Sequence, residues 1–415
     1  MGPDVLSLSA LVAAIVLSMT SRVNVGLAAM ALAWLVGRYA AGQTPEAILR
    51  GFPAPLFVTL VGVSLLFAVA ETNGTLARLA SRAVAATRGN VRLLPVLFFF
   101  VAAGISGVGP GAISAVALVA PLAMSIGGPA GVPPLVMALV VANGANAANL
   151  SPVSAVGIIA NTKMSEAGLA GHEGAVFAAT FAASLLVALA GVLLFGRRAA
   201  APPGGEPALA AARRLEPAQR LTVGVMALWM IGALVWQLPV GLSALAAAVV
   251  LMLARAGDER GVIARVPWSV VLMVSGVSML VAVVETAGGL RLFTAALAAL
   301  ATPGTVNGVV ALVTGGISLW SSTSGVVLPA FLPLAPGLVA SVGGGDPVAV
   351  SISMTVGSSL VDVSPLSTLG ALCITAAGDR DPGGRLFRQL LLWGVAMAFA
   401  GALYCQAVAG AIARL

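Results

Sequence analysis

Charge is what this chain has least of. Lysine, arginine, aspartate and glutamate together make up 8% of its 415 residues, and there is one histidine. A soluble domain carries roughly a quarter charged residues. A hydrophobic share of 60% therefore reads as a polytopic membrane protein. Cysteine is almost missing: Cys373 and Cys405 both lie in apolar runs. That excludes a disulfide framework and leaves two small hydrophobes. No cluster of His, Cys or acidic residues has metal-ligand spacing, and no nucleophile has a plausible base beside it. No basic tract carries interleaved aromatics, so the net charge of +7 is not a nucleic-acid footprint. It is almost all arginine, and in a membrane protein such an excess marks cytoplasmic loops. The first apolar run has no small-residue cleavage site and belongs to the array of spans rather than to a removable signal.

One stretch stands out against this apolar background. Asn143-Gly-Ala-Asn-Ala-Ala-Asn149-Leu-Ser151-Pro152-Val-Ser154-Ala-Val-Gly157 puts three asparagines and two serines inside a run long enough to span a bilayer. Pro152 removes a donor and obstructs the carbonyl four residues earlier. A helix must break there, and a broken helix at membrane depth is tolerated only against protein or a wet cavity. The stretch recurs: Ser364-Pro365-Leu-Ser367-Thr368-Leu-Gly370 answers Ser151 to Gly157, while Gly357 and Asp362 answer Gly144 and Asn149. Broken helices in corresponding halves point to a transporter's binding site.

The rest of the chain repeats on the same offset. Apolar spans at 5–20, 24–41 and 53–70 are answered at 219–238, 240–256 and 268–285. Glu71-Thr-Asn-Gly74 is answered by Glu285-Thr-Ala-Gly288, and Pro121-Leu-Ala by Pro333-Leu-Ala, always 212 to 214 residues on. One offset over four landmarks means duplication. The stretch 91–127 breaks at Ser106-Gly-Val-Gly-Pro-Gly111, and 304–341 at Ser318-Leu-Trp-Ser-Ser-Thr-Ser324. Each arm of the first is shorter than the ~20 residues needed to cross, so both read as re-entrant hairpins. Broken spans follow at 132–161 and 346–376, then spans at 174–195 and 385–411. A polar Pro/Gly-rich linker, 196–218, separates the halves.

The expected fold is all-α: two inverted repeats, each of five transmembrane spans plus one re-entrant helical hairpin. Five crossings per half turn the second half upside down. With both termini outside, 16 of the 21 basic residues fall inside, including the linker arginines, as the positive-inside rule requires. Glu71 and Glu285 read as helix-end or arm contacts. Arg78, Arg82 and Arg92 read as snorkelling to the headgroups, and His172 as a solvated loop residue.

Four segments resemble the bacterial malonate/dicarboxylate carrier family, within the divalent-anion:sodium symporters: Gly51-Phe-Pro-Ala-Pro-Leu-Phe-Val-Thr-Leu60, Ala70-Glu-Thr-Asn-Gly-Thr-Leu76, Ser151-Pro-Val-Ser154 and Val361-Asp-Val-Ser-Pro-Leu-Ser-Thr368. The resemblance covers nearly the whole chain. It implies an elevator-type transporter of the bacterial inner membrane, usually a homodimer embedded in lipid. On that division 1–89 and 219–302 form the scaffold, and 90–195 and 303–415 the moving domain. In the wider superfamily each hairpin tip carries Ser-Asn-Thr. Here the second tip reads Ser321-Ser-Thr-Ser324, and the first retains only Ser106.

Two tips and two breaks should converge. Helix N-termini there suit a carboxylate, and broken-helix carbonyls suit a cation. The candidate substrate site is Ser106, Gly107, Asn149, Ser151, Pro152, Ser154, Ser322, Thr323, Ser324, Ser364, Pro365, Ser367 and Thr368. The sodium candidates are Ser106, Gly109, Asn143, Asn146, Ser321, Thr323, Gly357 and Asp362. The bland alternative is that these small residues only let helices pack closely. Asp362, the one acid placed deep in the membrane, is a sodium ligand, a proton carrier or a capped structural acid. No organic cofactor is expected, only Na+ or H+ as coupling ion. The expected function is sodium-coupled uptake of a small dicarboxylate. Proton-coupled or exchange transport of another small anion is the alternative. An intramembrane hydrolase, with Asp362 near Ser364, or a non-transporting receptor is the weaker rival.

Overall fold

The computed structural model describes residues 2–20, 23–85, 93–109, 111–128, 130–196, 215–236, 238–319, 323–377 and 385–414. These residues are helical throughout, with no strand. The first half runs α1 (Pro3–Thr20), α2 (Val25–Tyr39), α3 (Pro45–Arg50), α4 (Ala54–Thr72), α5 (Thr75–Ala85), α6 (Leu94–Val108), α7 (Gly111–Gly127), α8 (Pro134–Ala148), α9 (Ala155–Glu166) and α10 (Glu173–Phe195). The second runs α11 (Pro217–Val235), α12 (Val240–Leu253), α13 (Glu259–Arg265), α14 (Trp268–Thr286), α15 (Gly289–Ala298), α16 (Val306–Ser318), α17 (Leu328–Phe331), α18 (Ala335–Val342), α19 (Pro347–Val361), α20 (Thr368–Ala377) and α21 (Arg385–Ile412). Among the described residues four stretches, Ala54–Thr72, Glu173–Phe195, Thr323–Val342 and Arg385–Ile412, are long and apolar enough to cross a bilayer alone. The chain is a membrane protein.

Sequence and structure agree on both helix breaks and on the first hairpin, α6–α7. They differ in two places. The second arm of the second hairpin is not one helix: a π turn at Thr323–Val327 leads into α17, a 3-10 turn at Leu332–Leu334 and α18. Pro329, Pro333 and Pro336 each remove a donor, and the chain changes pitch around them. The short helices α3 and α13 lie in the intervals between the expected spans. Thr44 and Asp258 cap them by accepting from Ala47 and Gly261, as N-cap side chains do. Linker residues 197–214 lie outside the described residues, as do the tip positions Ser321 and Ser322.

Helices of one half pack on helices of the other through glycines. A Cβ on Gly26 of α2 would meet the Leu272 carbonyl of α14 at 2.0 Å, and one on Gly276 would meet the Gly26 carbonyl at 2.0 Å. The crossing of α4 with α12 has the same form: a Cβ on Gly62 would lie 2.2 Å from the Gly241 carbonyl. Without side chains the backbones touch, which is how apolar helices gain contact energy in lipid. The helices α8 and α19 are buried along nearly their whole length. A helix buried all round belongs at a centre, and here α6, α7 and α10 pack on α8 while α16 and α21 pack on α19.

Candidate substrate and cation site

Both helix breaks fold by the same local chemistry. After α8 the Ser151 N–H donates to the Ala148 carbonyl, and after α19 the Ser364 N–H donates to Val361. The Ser154 hydroxyl donates to the carbonyl of Asn149, and that of Ser367 to the carbonyl of Asp362. Ser154 also accepts from the Gly157 N–H at 2.9 Å, so it is the N-cap of α9. Gly157 and Gly370 close the turns: a Cβ would lie 1.9 Å from the Ser151 carbonyl and 2.0 Å from that of Ser364. Ser154 and Ser367 therefore spend their donors on the break itself. Ser151 is half-buried and Pro152 exposed; Ser364 and Pro365 are buried, and Thr368 is exposed at the start of α20. Gly394 of α21 presses on Ser364.

The first tip is stitched to the first break. Asn149 Oδ1 accepts from the Ala112 N–H at 2.9 Å, and the Gly109 carbonyl accepts from the Ala155 N–H at 2.9 Å. Asn149 thus caps α7, and its oxygen is committed there. The tip presses on the other side against α4: a Cβ on Gly109 would lie 1.8 Å from the Phe67 ring. The second tip is tied to α19. Thr323 Oγ1 lies 2.6 Å from Ser318 Oγ and donates to the Ser358 carbonyl at 3.3 Å. Asn146 Nδ2 donates to the Ser359 carbonyl at 2.8 Å, which joins the ends of α8 and α19.

One narrow crevice opens where these parts meet, with about 30 Å³ of water-accessible space. Gly111, Ala112, Ile113 and Ser114, the first turn of α7, form one wall. Ala155, Val156 and Ile159 of α9 form another; Leu60 and Ser64 of α4, with Val271 of α14, face them, and Ser324 of the second tip completes the rim. The first turns of two helices therefore open on one space. The N–H groups of Ala112, Ala155 and Gly157 are already taken by Asn149, Gly109 and Ser154, and both helix dipoles are positive at this end. Ser64 and Ser114 were not singled out in the sequence. A hydroxyl in the first turn of an arm that follows a glycine tip was the available signal for Ser114.

Three of the buried oxygens without partners belong to the C-terminal parts of α6 and α8. Among the described residues, Ser106 Oγ, Asn143 Oδ1 and Asn146 Oδ1 are buried and have no hydrogen-bond partner. They lie at the C-terminal ends of α6 and α8, which approach so closely that a Cβ on Gly107 would sit 2.8 Å from that of Ala148. An unmet buried acceptor is costly, and helix C-termini are the negative ends. That donor set suits a hard cation. In the second half Thr323 joins Ser318 and the Ser358 carbonyl, Gly357 packs on Ala311 of α16, and Asp362 is buried at the C-terminal end of α19. Among the described residues no basic side chain pairs with Asp362. Glu71 is a helix-end contact, 3.3 Å from Arg265 of α13.

Comparison with known proteins agrees with this architecture. Residues 1–149 match the family model described as "Dicarboxylate carrier protein MatC N-terminus", so the family likeness read from the motifs holds over that stretch. Among solved structures, the fold is similar to the YdaH transporter of Alcanivorax borkumensis, described as having an unusual topology. The match has a TM-score of 0.59 at 19% identity and covers 87% of this chain and 86% of that one. No curated protein sequence matches. The chain shares the fold of that structure over most of both chains, and its N-terminal part is similar to the dicarboxylate-carrier family model.

Proposed function

We propose that this protein is a secondary transporter that carries a small dicarboxylate, malonate or a four-carbon dianion, into the cell together with sodium. The observation that carries this reading is the division of helix ends. The N-termini of α7 and α9 open on one crevice, where a carboxylate is stabilised. The C-terminal parts of α6 and α8 carry the unmet oxygens of Ser106, Asn143 and Asn146, and helix C-termini stabilise a cation. A dianion and a cation bound side by side cross a low-dielectric barrier at lower cost than the dianion alone.

The mechanism fits alternating access of the elevator type. The crevice has room for about one or two waters. A dicarboxylate therefore enters only if the hairpins separate from α4 and α14. The glycine crossings α2–α14 and α4–α12 give the scaffold a centre of close backbone contact, and Gly62 and Gly276 stand at the repeat's offset. The hairpins, broken helices, α10 and α21 form the moving unit. A homodimer through the scaffold, and the inner membrane with both termini outside, complete the proposal.

A second reading rests on Asp362, a buried carboxylate with no basic partner among the described residues: the coupling ion is then a proton. Uptake of labelled malonate and succinate into proteoliposomes, with an imposed sodium or proton gradient, decides. Sodium-driven accumulation of unchanged substrate is expected. Accumulation under the proton gradient alone would replace sodium by the proton, and conversion of the substrate or lack of any uptake would sink the transporter reading.

A further inference from the structure

Lys163 is the chain's only lysine. It sits in the last turn of α9, yet its side chain is only 7% exposed, and its ammonium lies 2.7 Å from the carboxylate of Glu166, which is 51% exposed. Val156 and Ile159 line the crevice. Steps of three and four along a helix keep one face, so Lys163 continues the face that Val156 and Ile159 present. It stands about 6 Å beyond Ile159 along the axis. Helix α9 packs on α4 and on the second arm of the second hairpin. Lys163 therefore stands on the face of α9 that runs from the crevice, with its ammonium held at the C-terminal end of that face by Glu166.

We infer that Lys163 is a docking cation for one carboxylate of the incoming dianion, and that Glu166 holds its place until the substrate arrives. The inference rests on the dicarboxylate reading above. A long cationic side chain held on that face bears a strongly hydrated point charge with three donors. Its partner is a carboxylate, the same group that the substrate carries twice. Glu166 is half exposed and can swing into solvent, which frees the ammonium for exchange. A pair that only secured the end of α9 would behave symmetrically, each partner's loss weakening the same contact. A docking cation with an internal competitor does not: losing the cation weakens substrate capture, and losing the competitor strengthens it.

Opposite signs therefore make the test. Wild type, Lys163→Gln, Lys163→Arg and Glu166→Gln are purified, checked for monodispersity and reconstituted, and initial malonate and succinate uptake is measured at low and high ionic strength. Lys163→Gln is expected to raise KM about tenfold and to flatten its salt dependence, because the charge that salt screens is gone. Lys163→Arg keeps most of the capture, and Glu166→Gln lowers KM below wild type. If Glu166→Gln and Lys163→Gln both raise KM, or both leave it unchanged, Lys163 is no docking cation. If wild type moves neither dianion, the dicarboxylate reading itself is wrong and this inference falls with it.

Discussion

The side-chain amide of Asn146 donates to the main-chain carbonyl of Ser359 at 2.8 Å, and these two positions correspond to each other across the duplication, 213 residues apart. The last turns of the two broken helices are therefore bonded to each other directly. This leaves Asn146 Oδ1 pointing away from the bond and without a partner. A residue that bridges the halves with its nitrogen and offers its oxygen is placed to couple an ion on one side to the position of the other.

Loss of that oxygen should act on the cation before the anion. Asn143→Ala and Asn146→Ala should each raise the sodium concentration for half-maximal uptake by about tenfold, as loss of a ligand to a charge implies. The dicarboxylate KM at saturating sodium should change far less. Equal changes in both constants would mean that these asparagines only pack.

The contact between Phe67 and Gly109 makes a bump-and-hole prediction. A methyl at position 109 would overlap the Phe67 ring, and the tip of the first hairpin cannot retreat while Asn149 holds Ala112. Gly109→Ala should abolish most uptake, and adding Phe67→Ala to it should restore a measurable part. If the double variant is no better than Gly109→Ala, the clash is not the cause.

The two turn glycines should be equally intolerant. Gly157→Ala and Gly370→Ala each drive a Cβ into a main-chain carbonyl about 2 Å away, and overpacking costs about 1–3 kcal/mol. Both should lower the thermal midpoint of the purified protein by several degrees. Gly224→Ala, with nothing within 4 Å, should hold or raise it, since alanine is the better helix former. A stable Gly370→Ala variant would show that the second break does not need the turn seen here.

Asp362 separates the two coupling ions. Its counterpart in the first half is Asn149, whose oxygen caps α7, so only the second half can contribute a full negative charge. Asp362→Asn should raise the sodium requirement and change the charge moved per substrate, with folding retained. If a proton is the coupling ion, the variant instead loses the pH dependence of uptake and keeps its sodium dependence. Uptake across sodium concentrations at two pH values reads both, and wild-type behaviour on both would make Asp362 a structural cap.

Much of this molecule is written locally in the chain. Serine followed by proline inside a long apolar run, with further polar residues before it, marks a helix break, so both breaks were legible residue by residue. So was the scarcity of charge that requires a membrane. The second arm around Pro329, Pro333 and Pro336 was less so, because each proline forbids a bond without stating whether a kink, a π turn or a 3-10 turn replaces it. The short helices α3 and α13 were too brief for periodicity to register. Partner choice was hidden altogether. In a chain apolar on every face, hydropathy does not say which face of α2 meets α14, and only backbone approach at Gly26 and Gly276 decides it. The same holds for Asn149 and Asn146, identical in type and three residues apart. Tertiary packing puts the oxygen of one onto the N-terminus of α7 and leaves the oxygen of the other unmet, because a hydrogen bond depends on which atom lies within reach in space.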